Sequence, residues 1–212
     1  VLYRAPAVIL TAGGTPVKLG VPGEQEYAAK GVSYCAVCDG AFFKGEVLAV
    51  VGGGDAAVEE ADYLTRYASK VYIVHRRDRL RASKILQQRA FANPKIEVIW
   101  NKRVVEITGT GQGVDHLVLA DSVTGEHMRL RVGGVFIFIG FKPNTGVIEG
   151  HVKHDAAGYL ITDEKMMTSL PGLFAAGDVR SQVTRQITTA VGDATTAAIA
   201  VEKYLASLKA SD

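Results

Sequence analysis

An α/β fold built on a parallel sheet is what the sequence predicts, on three observations. Residues 46–80, "EVLAVVGGGDAAVEEADYLTRYASKVYIVHRRDRL", read as strand, glycine turn, helix and second strand. The first of these strands, Val47 to Val51, is an uninterrupted apolar run, as expected of a parallel strand covered on both faces. Further on, "IEVIW", "RVVEIT", "VDHLVLAD" and "HMRLRV" include several alternating segments, the pattern of antiparallel strands. Together they predict a Rossmann-like dinucleotide-binding domain, three-layered, with an antiparallel meander inserted in its sheet.

The elements follow in order. "AVILTAGG", residues 7–14, is a short buried strand ended by glycines, and "TPVKLGVPG" after it is turn-rich connecting chain. A boundary is expected near residues 20–32. The helix after the glycine turn should run from about Ala56 to Tyr67, with Val58, Ala61, Tyr63 and Leu64 inward and Glu59, Glu60 and Arg66 facing water. The next strand is Val71 to Val74, followed by a helix over "SKILQQRAFA". "GVFIFIGFKPNT" supplies another buried strand with a glycine exit and a Pro-Asn turn, so a second boundary falls around residues 139–148. "GLFAAGDV" is a strand running into a glycine-acid turn, and a long helix covers "TTAAIAVEKYLASLK".

Composition excludes little. The chain of 212 residues is 48% hydrophobic and 22% charged, ordinary for a globular protein able to bury a core. A formal net charge of +2 makes no case for nucleic acid or a membrane surface. No apolar run approaches the roughly 18 residues that span a bilayer, and nothing at the N-terminus resembles a signal peptide, so the cytoplasm is the expected location. The chain opens at Val1, almost directly in a strand, and is expected to be a piece of a longer one.

The two cysteines of the chain, Cys35 and Cys38, stand two residues apart with Asp39 directly behind them. Structural zinc takes four ligands, and His75, His116, His127, His151 and His154 are scattered through basic or strand-like segments far along the chain from the cysteines, so no metal site is expected. A structural bridge across so short a loop would constrain the unfolded chain little. A Cys-x-x-Cys in such a chain is more often a redox dithiol, and Asp39 adds a carboxylate where protons must move.

The spacing Gly52-x-Gly54-x-x-Ala57 fits the dinucleotide fingerprint in its alanine variant. Gly52 permits the tight turn out of the strand, Gly54 lets a pyrophosphate approach the backbone, and Ala57 allows helix and strand to pack closely. Asp55 and Ala56 open the helix whose N-terminal N–H groups meet the phosphates. An NAD site usually carries an acid about 20 residues past the glycines, to bind the ribose 2′-hydroxyl. This chain has His75, Arg76 and Arg77 instead, with Arg81 slightly further on, so cations stand where a 2′-phosphate would sit and NADPH is favoured over NADH. Asp78 among them reads as a salt-bridge partner.

"CAVCDG", "VVGGGDAAVEEA", "HRRDRLRASK", "FIFIGFKPNT" and "GLFAAGDVR", in this order, strongly resemble the low-molecular-weight, bacterial-type thioredoxin reductases over essentially the whole chain. The resemblance implies a cytoplasmic homodimeric flavoenzyme in which NADPH reduces FAD, FAD reduces the Cys35/Cys38 disulfide, and that dithiol reduces thioredoxin. It implies that Cys38 faces the flavin, that Cys35 attacks the thioredoxin disulfide and that Asp39 is the acid/base. It makes Gly177 and Asp178 part of the FAD site, Asp178 binding the ribityl chain, and places Arg185, Gln186 and Ala190 near the isoalloxazine. It implies residues 1–31 as the end of a first FAD-domain segment and linker, 32–141 as the NADPH domain carrying the cysteines, and 142–212 as a C-terminal FAD segment.

The resemblance also shows a departure. The family opens with its own glycine fingerprint for FAD, and that first half is not in this sequence, so an incomplete FAD-binding domain, weak FAD binding and exposed apolar surface at Ala7 to Leu10 and along "AAIAVEKYL" are expected. Asp193 and Ala194 stand where relatives are commonly glycine-rich. Two alternatives remain open: a nucleotide-binding module without turnover, and a peroxiredoxin reductase, against which Arg76 and Arg77 argue because those relatives read NADH.

Overall fold

The computed structural model describes residues 1–210. The chain forms two units: a central one, Pro16–Gly140, and a flanking one made of Val1–Thr15 with the chain from Phe141 onward. In chain order the strands and helices begin with β1 (Val8–Leu10) and β2 (Gly14–Pro16). The central unit continues through β3 (Val32–Ser33), α1 (Ala36–Asp39), β4 (Val47–Gly52), α2 (Asp55–Leu64), β5 (Lys70–Val74) and α3 (Lys84–Ala92). Then come β6 (Ile96–Ile99), β7 (Lys102–Thr110), β8 (Gly113–Asp121), β9 (His127–Arg131) and β10 (Gly134–Phe138). The flanking unit resumes with β11 (Phe141–Pro143), β12 (Leu173–Ala175) and α4 (Ile187–Lys209).

The central unit has three layers. Its middle is a five-stranded parallel sheet in the order β3-β10-β4-β5-β6. Because side chains alternate along a strand, Leu48, Val50, Val71, Ile73 and Phe136 pack toward the helices, against Val58, Ala61, Leu64 and Ala90. The opposite side chains, Ala49, Val51, Val74, Val135 and Ile137, meet Val104, Ile107, Leu117, Leu119 and Leu130 of a separate antiparallel sheet, β7-β8-β9. Both faces are therefore dry, which is why β4 and β10 read as continuous apolar runs.

In the central unit three expectations about strands and helices need correction. "IEVIW" is no part of the meander: β6 pairs in parallel with β5, because α3 between them supplies the crossover a parallel neighbour requires. The meander is a sheet of its own instead of an insertion in the parallel one. Helix α2 stops at Leu64, short of Tyr67, where the Lys95 ammonium takes the Thr65 and Ala68 carbonyls at 2.8 and 3.0 Å.

In the flanking unit β1 pairs in parallel with β12, and β2 pairs with β11. A small core of Val152, Leu160, Ala175 and Val179 gathers Leu10, Ile148 and Leu173 around it. Helix α4 starts at Ile187, ahead of the expected "TTAAIAVEKYLASLK", because Gln186 and Thr189 form a reciprocal capping box. Only Ala197 of α4 is buried, while Ile187, Val191 and Ile199 are exposed, as is Val8 of β1.

Candidate functional site

The cysteines sit on a loop that the sheet holds from behind. β3 ends at Ser33, Cys35 caps α1, and a disulfide joins Cys35 to Cys38. The Cys38 N–H donates to Cys35 Sγ at 3.2 Å, and the Asp39 N–H donates to the Cys35 carbonyl at 3.1 Å. Ala36 is fully buried and anchors the turn, whereas Cys38 is exposed and Cys35 half-buried.

Two groups outside the Cys-x-x-Cys-Asp pattern support this loop. The hydroxyl of buried Ser33 donates to Asp39 Oδ2 at 2.6 Å while its oxygen accepts the Cys35 N–H at 3.1 Å. Tyr34 donates to Glu24 Oε1 at 2.8 Å, and burial together with that carboxylate holds the phenol well above its usual range. Glu24, itself buried, also accepts the Leu19 and Gly20 N–H groups at 3.0 and 2.7 Å. Sequence reasoning missed Ser33 and Glu24; the available signal was a hydroxyl at a strand end two residues before the first cysteine.

In the glycine loop a Cβ on Gly52 would collide with the Phe138 carbonyl and with Ala57, so the first glycine and the alanine are required together. Gly54 caps α2 with extended backbone, and a Cβ there would meet nothing within 4 Å. The space beside Gly54, at the N-terminal end of α2, is therefore open. Behind the loop, His75 Nδ1 bonds the Gly52 carbonyl at 2.8 Å, and the Arg81 and Ala82 N–H groups bond the Gly53 carbonyl at 2.7 and 3.1 Å. The Asp55 carboxylate accepts the Ser83 N–H at 2.6 Å. The basic segment is thus pinned to the glycine loop at its two ends, by His75 on one side and by Arg81, Ala82 and Ser83 on the other.

Arg76, Arg77 and Arg81 are exposed, and among the described residues Asp78 makes no ion pair with them. His75 differs from them: its ring is 6% exposed and faces Trp100 edge-on at 6.4 Å. Burial, aided by the charges of Arg77 and Arg81, pushes its pKa down, so at neutral pH it is an uncharged brace with its proton on Nδ1. Glu60, expected to face water, is half-buried, and burial followed by the Glu59 charge raises its pKa.

In the flanking unit Gly177 adopts φ +77°, a left-handed turn that glycine takes without strain, and a Cβ there would press on Ala190 at 3.3 Å. Asp178 follows it with a buried Oδ1 that, among the described residues, has no hydrogen-bond partner. The Arg185 guanidinium lies 3.8 Å over the Tyr159 ring, and its buried Nε is likewise unpartnered. Asp193 accepts the Gly177 N–H at 3.1 Å and Arg180 Nη1 at 2.7 Å, and Arg180 Nε donates to Thr162 at 2.9 Å.

A disulfide beside a carboxylate, in one unit with a glycine loop, has counterparts among known proteins. Residues 2–194 match the family described as pyridine nucleotide-disulphide oxidoreductase. The chain belongs to that family. It is 53% identical over 207 residues to a thioredoxin reductase of Bacillus subtilis (strain 168), an alignment covering 98% of this chain and 66% of that protein. Among solved structures it superposes on the thioredoxin reductase from Streptococcus pyogenes MGAS5005 with a TM-score of 0.92 at 53% identity, covering 95% of this chain and 66% of the other. The thioredoxin reductase from Giardia duodenalis gives 0.87 at 40% identity, over 94% and 66% of the two chains. The chain of this family member thus spans about two thirds of the length of such relatives.

Proposed function

We propose that this chain serves a thioredoxin-disulfide reductase, accepting electrons that originate in NADPH and passing them through the Cys35/Cys38 pair to the disulfide of thioredoxin. The observation that carries this reading is the Cys35–Cys38 disulfide, its Cys38 side exposed, with Asp39 directly behind it and a dinucleotide loop in the same unit. The open face at Gly54 and the α2 N-terminus suits a pyrophosphate, and exposed Arg76, Arg77 and Arg81 suit a 2′-phosphate by two-pronged hydrogen bonds. The orphaned Asp178 Oδ1 and the turn at Gly177 suit the ribityl hydroxyls of a flavin, with Arg185, Gln186 and Ala190 nearby along the chain. When bound, NADPH and FAD supply the hydride and its conversion to the electron pair that a disulfide accepts.

The chain's own residues do the rest. Opening the S–S bond leaves a thiolate, and the Cys38 N–H that already points at Cys35 Sγ supports negative charge there. Asp39 gives and takes the protons that thiol–disulfide exchange moves. Exposed Arg76 and Arg77 favour NADPH over NADH and so speak against the NADH-reading peroxiredoxin reductases. By the same likeness we expect the working protein to be a homodimer.

The test is NADPH-driven reduction of thioredoxin by the complete, flavin-loaded enzyme that contains this chain. Cys35→Ser and Cys38→Ser should each abolish it while NADPH still bleaches the flavin. Thioredoxin turnover surviving in either variant would remove that cysteine from the relay.

A further inference from the structure

We infer that Ser33 is a positioning residue for Asp39: its hydroxyl turns between two acceptors so that Asp39 keeps a bonding partner whether or not it carries a proton. This rests on the reading of Asp39 as the group that moves protons during the dithiol step.

The geometry is local and buried. Ser33 is 4% exposed at the end of β3. Its oxygen lies 2.6 Å from Asp39 Oδ2, 3.1 Å from the Cys35 nitrogen and 3.3 Å from the Cys35 carbonyl oxygen. The hydroxyl has one hydrogen and two lone pairs. With Asp39 ionised, the hydrogen goes to the carboxylate, since a charge-assisted bond is shorter and stronger than one to a peptide carbonyl. With Asp39 protonated, the carboxyl O–H donates to Ser33 Oγ and the Ser33 hydrogen swings to the Cys35 carbonyl. The Cys35 N–H bond to Oγ is kept in both states, so the first cysteine does not move as the proton comes and goes. An alanine would strip Asp39 Oδ2 and the Cys35 N–H of this partner at once.

The balance of the step shows where the proton matters. A small dithiol thiolate attacks the exposed Cys38 sulfur, the Cys35–Cys38 bond breaks, a mixed disulfide forms and Cys35 leaves as a thiolate that takes one proton. The second thiol of the reagent then displaces Cys38, which takes the other proton, and the reagent ends as its cyclic disulfide.

Reduction of the 212-residue chain by dithiothreitol, with acid quenching, alkylation and mass spectrometry, reads this step without any cofactor. Asp39→Asn should be slow, Ser33→Ala should be slower than wild type by about tenfold, the scale of one hydrogen bond to a charged group, and adding Ser33→Ala to Asp39→Asn should change nothing further. Should Ser33→Ala not fold, Ser33→Thr and Ser33→Val make the same comparison in nearly identical shapes, the threonine variant close to the wild-type rate and the valine variant slow. A slow Asp39→Asn beside a wild-type rate in Ser33→Ala overturns the role of Ser33 alone. Equal slowing by Ser33→Ala in the wild-type and in the Asp39→Asn background reduces Ser33 to support of the loop. A wild-type rate in Asp39→Asn overturns the acid/base reading and this inference with it.

Discussion

Replacing Gly53 by alanine should cost stability, whereas the same change one residue later should cost only binding. A Cβ at Gly53 falls on the imidazole of His75, which is 6% exposed and tied to the Gly52 carbonyl at 2.8 Å. Overpacking a filled site costs about 1–3 kcal/mol. Displacing the ring also breaks a hydrogen bond, another 0.5–1.5 kcal/mol or roughly 3 kcal/mol in all. For a chain of this size that lowers the melting temperature by about 6–12 °C. At Gly54 a Cβ meets nothing within 4 Å, and the backbone at φ −90° and ψ −178° accepts alanine. The poorer helix cap and the stiffer unfolded chain roughly cancel, leaving stability within about 0.5 kcal/mol of wild type. On the function proposed above, Gly54→Ala should nevertheless weaken NADPH about tenfold or more, because the methyl would occupy the approach of the pyrophosphate. Calorimetric melting and nucleotide titration of both variants separate the effects, and Gly53→Ala/His75→Ala should recover part of the loss by removing the collision. Melting of Gly53→Ala at the wild-type temperature, or a Gly54→Ala drop as large as that of Gly53→Ala, refutes the reasoning.

Arg76→Ala/Arg77→Ala should cut the preference for NADPH over NADH by roughly 5- to 30-fold, about 1–2 kcal/mol after screening of exposed charges; equal affinities in the unmutated protein, by calorimetry, would sink the assignment. Asp193→Ala should destabilise the flanking unit by about 3 kcal/mol, since Arg180 loses its carboxylate in a pair whose side chains are only 12% and 13% exposed, and proteolysis of the flanking unit should speed up accordingly. Asp121, held down to about 2 from 3.8 by Lys102 and then by the Thr124 and Val123 N–H groups, contributes stability that is complete above its ordinary value and lost as pH falls toward 2. Urea midpoints between pH 5 and 2 should therefore fall less steeply in Asp121→Asn, and parallel curves would contradict the pairing.

What could be read from the sequence was whatever depends on spacing along one element. The glycine turn, the apolar run of β4, the alternation of β7 and β8 and the Cys-x-x-Cys are local patterns, and local patterns survive into the fold. What escaped depends on which way a side chain turns. His75 stands beside two arginines and reads as a third cation, yet it lies at the strand end where the chain still alternates, so its ring goes inward under the loop while Arg76 and Arg77 stay out. The middle glycine of the fingerprint looks free for the same reason, because what forbids a side chain at Gly53 is that ring. Asp193, conspicuous only as a departure from a glycine-rich stretch, shows its purpose once the Gly177 N–H and Arg180 are brought to it. β6 was misplaced because a short "IEVI" run looks alike in parallel and antiparallel company.

The two ends of the central unit meet: the Val17 N–H donates to the Gly140 carbonyl at 2.9 Å. A stretch of chain that enters and leaves at one point is a cassette, since bridging its ends takes only a short link and little loop-closure entropy. Residues 16–140 could be lifted out by gene surgery with the glycine loop, the arginines and both cysteines aboard. On the function proposed above, nucleotide preference and the disulfide would then be inherited together, and grafting this cassette between the flanking segments of a distant relative should transplant both traits in a single exchange.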